Sequence, residues 1–211
     1  GFYVVFAQLN GVPYQTVPLQ EDFSIDYRDY VGIGKNIVIA NPNAPTGLAL
    51  RSAEIEEIVK SNPDNVVMID EAYVDFGGES CVPLVDKYDN LLITQTFSKS
   101  RSLAGGRLGV VIGNEKLIAD LNAVKYSTNP YNVNRMTAAA GLAALNEKEW
   151  FESSCAEIQT VRERTAAALK KAGFTVLDSK ANFLFAKSDE IGGRALYERL
   201  KAKGVLVRQF N

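Results

Sequence analysis

A chain of 211 residues, 46% hydrophobic and 23% charged, has the composition of a globular protein with room for one large domain, or one domain and part of another. Its net charge of −2 argues against a general nucleic-acid or anionic-membrane surface, and no apolar run is long enough to span a bilayer. The absence of histidine removes Ser-His-Asp triads, histidine metal sites and histidine general bases, while the only cysteines, Cys81 and Cys155, match no zinc or redox spacing.

The sequence opens without Met inside an apolar aromatic stretch, GFYVVF, and is expected to be a piece of something longer. Buried strands are predicted over 36–41 (NIVIAN), 65–70 (NVVMID), 90–97 (NLLITQTF) and 107–113 (RLGVVIG). Between the first two lies an amphipathic helix over 51–61, with Ser52 as its expected N-cap. A helix capped by Asn114 is predicted over 114–125, and an alanine-rich helix, expected to be buried on most sides, over 134–145. From about Glu147 a long charged helix runs to Lys171 and stops at Gly173. Strands over 174–178 and 182–187, a helix over 192–204 and a strand over 205–210 complete the chain. The alternation predicts an α/β domain with a mostly parallel sheet over 1–146 and a small α+β domain over 147–211.

Ligands of open parallel sheets bind beyond the carboxyl ends of the strands. Here those ends read Asn41-Pro42-Asn43-Ala44-Pro45-Thr46-Gly47, then Asp70-Glu71-Ala72-Tyr73, then Ser98-Lys99. Arg107, after the SLAGG turn, meets the same rim only if its strand runs antiparallel. Each residue alone has an ordinary explanation: Asp70 a loop carboxylate, Tyr73 packing, Lys99 a solvated lysine, Arg107 a surface ion pair, the two-proline loop a turn. Their joint arrival at successive strand ends, with no histidine available, favours chemistry. A lysine amine can attack a carbonyl, a hydroxyl and a guanidinium together suit a phosphate monoester, and a carboxylate can keep a pyridine nitrogen protonated. That combination describes a site for pyridoxal 5′-phosphate.

NPNAPTG, MIDEAY and TFSKSRSLAGGRLG, in this order, resemble the fold-type-I pyridoxal-phosphate aminotransferases, and PYNVN (130–134) and SKANFLF (179–185) resemble one branch of them, the histidinol-phosphate aminotransferases. The resemblance covers essentially the whole chain. It implies a three-layer α/β sandwich of the aspartate-aminotransferase type with a partial small domain. It also implies a cytoplasmic homodimer without a metal, and transfer of an amino group from histidinol phosphate to 2-oxoglutarate in histidine biosynthesis. Lys99 would link covalently to the cofactor and move the proton, Asp70 would pair with the ring nitrogen, and Tyr73 would bond the ring's 3-oxygen. Ser98, Arg107 and Thr96 would hold the phosphate. Arg208 and Asn182 would face the substrate. Where many relatives have Asn before Pro-Thr-Gly, this chain has Ala44, which leaves more to Tyr73 and makes Asn43 a further candidate for the ring oxygen. The family's glycine-rich phosphate segment and ring-stacking aromatic would precede Gly1, and a further substrate arginine would follow Asn211. The competing expectations are another fold-type-I aminotransferase acting on aromatic or other amino acids, an amino-acid decarboxylase of that fold, or a truncated cofactor-binding module without turnover.

Overall fold

The computed structural model describes residues 2–210. Four short strands form the main sheet in the order β1 (Ile37–Ala40), β2 (Val67–Asp70), β3 (Leu91–Thr96) and β4 (Gly109–Gly113). The first three are parallel, with Ala40 level with Asp70 and Asp70 level with Thr94. β4 runs antiparallel to β3, with Gly109 opposite Thr96. The condition attached to Arg107 is therefore met, and this residue, two positions before β4, lies at the edge where β1, β2 and β3 end.

The helix α2 (Ser52–Ser61) covers one face of this sheet. Its Ile55, Ile58 and Val59 lock against Ile37, Ile39, Val67, Ile69, Leu91 and Ile93, the alternate residues that the strand period points to one side. Burying each such side chain contributes about 1.5–3 kcal/mol. The opposite face is partly open although the strands are predicted to be buried: Val38 is 45% exposed and Val111 43% exposed. The α2 cap also differs. Arg51, not Ser52, occupies the N-cap position, and the Glu54 carboxylate reaches back to the Arg51 N–H at 2.8 Å. Ser52 instead gives its backbone N–H to Glu79.

Beyond β4 come α3 (Glu115–Thr128), α4 (Arg135–Asn146) and α5 (Lys148–Lys171). The Asn114 side chain caps α3 by accepting the Lys116 N–H at 2.9 Å, as its sequence predicts. The alanine-rich helix α4 is not buried on most sides: only Thr137 and Gly141 are, and Met136, Leu142 and Leu145 are exposed. α5 ends where Gly173 takes a positive φ of 88°. A two-stranded antiparallel ladder follows, β5 (Thr175–Val176) with β6 (Ala186–Lys187), shorter than the predicted strands, and then α6 (Gly193–Ala202). The strand predicted over 205–210 does not form, since its backbone finds no strand neighbour among the described residues. One helix was not predicted, α1 (Phe2–Leu9), in the aromatic stretch at the start. No described helix is long and apolar enough to cross a membrane.

Candidate active site

The three parallel strands deliver their ends to one rim, and the loops there are fixed by their own polar groups. Asn41, fully buried, clamps the two-proline loop: its side-chain amide donates to the Leu50 carbonyl at 3.1 Å and its oxygen accepts the Leu50 N–H at 2.7 Å. Asn43 is tied into the same loop, donating to Thr46 Oγ1 at 2.9 Å, so its amide is engaged locally. Ala44 is exposed at the loop tip. The peptide bonds before Pro42 and Pro45 are cis.

At the end of β2 the two adjacent carboxylates part company, because successive residues of a strand point to opposite faces. Glu71 is 1% exposed and is satisfied inward by Ser80 Oγ at 2.7 Å, the Cys81 N–H at 2.5 Å and Gln95 Nε2 at 2.9 Å. It is a structural anchor that sequence reasoning did not single out. Asp70 is half-buried at the rim. Its Oδ1 accepts the Ala72 N–H at 3.0 Å and its Oδ2 accepts the Tyr3 hydroxyl at 2.5 Å. Tyr3 is also new to the site: the contact spans 67 positions of sequence, so no local pattern announces it. Burial, then the Asp70 carboxylate, hold the Tyr3 phenol above the ordinary tyrosine range, so it stays a donor at neutral pH.

Lys99 projects from the turn after β3 and is exposed, with its Nζ 5.1 Å from the centre of the Tyr73 ring. The far side of the pair is closed by Phe183, whose ring meets Tyr73 edge-on at 5.0 Å between centroids. Asn182 precedes that phenylalanine and is exposed beside it. Among the described residues, neither the Tyr73 hydroxyl nor the Ser98 hydroxyl has a hydrogen-bond partner. Thr96 Oγ1 accepts the Ser98 N–H at 3.1 Å and reaches the Leu108 carbonyl at 3.5 Å, so this hydroxyl shapes the turn. The ladder extends one step past its last pair, with the Phe97 N–H donating to the Leu108 carbonyl at 3.0 Å, and so brings Arg107 to the level of Ser98. Arg107 holds a left-handed backbone with φ 52°, donates once to the Ala104 carbonyl, and leaves the rest of its fork exposed. Arg208 stands apart: exposed, it lies 5.1 Å from the Phe210 ring and makes no described contact with the rim.

Arg162 of α5 binds the rim from behind, donating from Nη1 to the Phe76 carbonyl at 2.6 Å and the Ala181 carbonyl at 2.8 Å. It thereby ties the loop after Tyr73 to the loop before Phe183. The rim gathers a primary amine, an oriented carboxylate, an unpartnered phenol, an unpartnered hydroxyl and a mostly free guanidinium. This set fits an aldehyde, a ring nitrogen, a ring oxygen and a phosphate, the functional groups of pyridoxal 5′-phosphate.

Comparison with known proteins agrees. Residues 1–211 match the family described as aminotransferase class I and II. A histidinol-phosphate aminotransferase of Brachyspira hyodysenteriae is 50% identical, covering 99% of this chain and 59% of the relative. The crystal structure of the histidinol-phosphate aminotransferase from Clostridium acetobutylicum superposes with a TM-score of 0.90 at 29% identity, over 98% of this chain and 64% of that one. A third, from Sinorhizobium meliloti in complex with pyridoxal-5′-phosphate, shares the fold with a TM-score of 0.82 at 23% identity, over 98% and 58% of the two chains. The chain thus spans 59% of the length of the Brachyspira relative.

Proposed function

Because the chain belongs to the class I and II aminotransferases, a family that uses pyridoxal 5′-phosphate, we propose that the whole protein moves the amino group of histidinol phosphate to 2-oxoglutarate in histidine biosynthesis. The observation that carries this reading is the placement of Lys99 against Tyr73 at the strand-end rim that also holds Asp70, in a chain 50% identical to an enzyme of that name. We assign residues 1–146 to the cofactor-binding domain and 147–211 to part of the small domain, and place the enzyme in the cytoplasm as a homodimer.

When bound, the cofactor supplies an aldehyde for amine exchange and a protonated ring that draws electron density from the substrate's Cα. The protein's residues divide the remaining work. Lys99 Nζ would hold the cofactor through its amine and would carry the proton from the substrate's Cα to the cofactor's aldehyde carbon. The Asp70 carboxylate, oriented through both oxygens, keeps the ring nitrogen protonated. The Tyr73 hydroxyl donates to the ring oxygen. Ser98 Oγ and the free fork of Arg107 hold the phosphate, with Thr96 shaping the turn that presents them. Arg208 and Asn182 are assigned to the substrate side, and Asn43 supports the loop facing the ring oxygen.

The test uses the whole protein loaded with cofactor. Borohydride reduction should fix the cofactor to Lys99, located by peptide mapping, and half-reactions should run faster with histidinol phosphate than with any aromatic amino acid. An adduct on another lysine overturns the site. Equal or better rates with aromatic donors overturn the substrate while leaving the reaction class.

A further inference from the structure

We infer that Tyr3 is a positioning residue for the reaction, acting through Asp70: its hydroxyl sets the orientation of the carboxylate that pairs with the cofactor's ring nitrogen. The inference rests on the function proposed above and deepens it. A carboxylate has about four acceptor positions on its two oxygens. Glu71 spends three of its own on core donors, and at 1% exposure the fourth is closed to a ligand. Asp70 is built differently. One oxygen is fixed by the Ala72 N–H and the other by the Tyr3 hydroxyl, so the plane of the group is set while one acceptor position on each oxygen stays open. The two donors come from different parts of the chain. Ala72 is local, whereas Tyr3 reaches across from α1, a helix with no buried residue of its own. Thr94 lies level with Asp70 on the neighbouring strand β3.

The consequence is geometric. Held by two donors, the carboxylate presents its open acceptor positions in one fixed direction, suited to a single protonated ring nitrogen. Removing the hydroxyl frees the carboxylate to rotate, which weakens that pairing and reduces the ring's protonation.

The experiment takes the whole protein as wild type, Tyr3→Phe, Asp70→Asn and the double variant, each loaded with cofactor labelled with ¹⁵N at the ring nitrogen. Three quantities are read: the nitrogen chemical shift, the cofactor Kd, and the rate of the half-reaction with histidinol phosphate. The expected result for Tyr3→Phe is a shift toward the unprotonated nitrogen, a Kd weaker by about 10-fold and a half-reaction slower by about 10-fold, the size of one charge-assisted hydrogen bond. In the Asp70→Asn background, Tyr3→Phe should change neither shift nor rate, because the charge it acts on is gone. An unchanged nitrogen shift in Tyr3→Phe, or the same loss with Asp70 already replaced, makes Tyr3 a packing residue and overturns the inference alone. A wild-type protein in which the cofactor never links to Lys99 overturns the proposed function and this inference with it.

Discussion

At Tyr73 the ring and the hydroxyl do separable jobs. The ring packs edge-on against Phe183 and under Lys99, while the hydroxyl has no partner among the described residues. Tyr73→Phe keeps both ring contacts, so thermal stability should stay within about 0.5 kcal/mol of wild type. Cofactor affinity should nevertheless fall by about 10-fold, one hydrogen bond's worth. Ala44→Asn on that background, adding an amide at the exposed loop tip, should recover part of the loss. Melting curves and cofactor titrations of the whole protein check this, and a stability loss matching the affinity loss would make the phenol structural. The contrast between Asp70 and Tyr3 shows what was legible at this scale. Asp70, Tyr73, Ser98 and Lys99 sit at strand ends, which apolar runs announce. Tyr3, Glu71, Asn41 and Arg162 act through contacts between distant segments, and no local spacing encodes those.

Between elements, the tightest joint is Gly47 against Ser179. Gly47 has a φ of +76°, accepts the Lys180 N–H at 2.7 Å, and leaves no space for a side chain: a Cβ there would lie 2.1 Å from Ser179 Oγ. Gly47→Ala should cost about 1–2 kcal/mol from the left-handed backbone and about 1–3 kcal/mol more from overpacking. Ser179→Gly removes the clash but forfeits the hydroxyl's bonds to Phe183 and Ala181, so each single change destabilises. Denaturant titration of the double variant should show less than the summed loss, and strict additivity would mean that the two do not touch. Arg162 closes the same joint from α5. Arg162→Met should lose about 1.5–3 kcal/mol for each carbonyl left without its charged donor, and should loosen the Tyr73–Phe183 contact, readable as weaker cofactor binding. The core strands and the Asn114 cap were legible because their signals are local. The 205–210 segment has strand composition without a strand to pair with, and the apolar residues of α4 have no described cover, so propensity alone misjudged both.

Over the whole molecule, the α/β class and the mostly parallel sheet follow from the alternation of apolar runs with amphipathic helices, while burial on both sheet faces does not, since a pattern cannot say which elements supply the cover. The core that does form carries a pH dependence. Cys81 is fully buried beside α2 and the sheet, and burial, then the Glu71 carboxylate, push its thiol from 9.0 up to about 12. The sign follows from proton counting. Below pH 9 the thiol is protonated folded and unfolded, and its contribution is constant. Between pH 9 and about 12 the unfolded chain releases the proton while the folded chain retains it, so stability falls as pH rises, by up to about 1.4 kcal/mol per pH unit. Cys81→Ala leaves a small cavity and is less stable at pH 8, but it lacks this proton. The stability gap between wild type and Cys81→Ala should therefore narrow steadily above pH 9. Urea titrations of both proteins at pH 8, 9, 10 and 10.5, under reducing conditions, measure the gap directly. Other groups that titrate in this range, Cys155 and the tyrosines, are common to both proteins and cancel in the difference. A gap that stays constant from pH 8 to pH 10.5 would mean that the thiolate is as well accommodated in the core as in water, against the burial seen at that position.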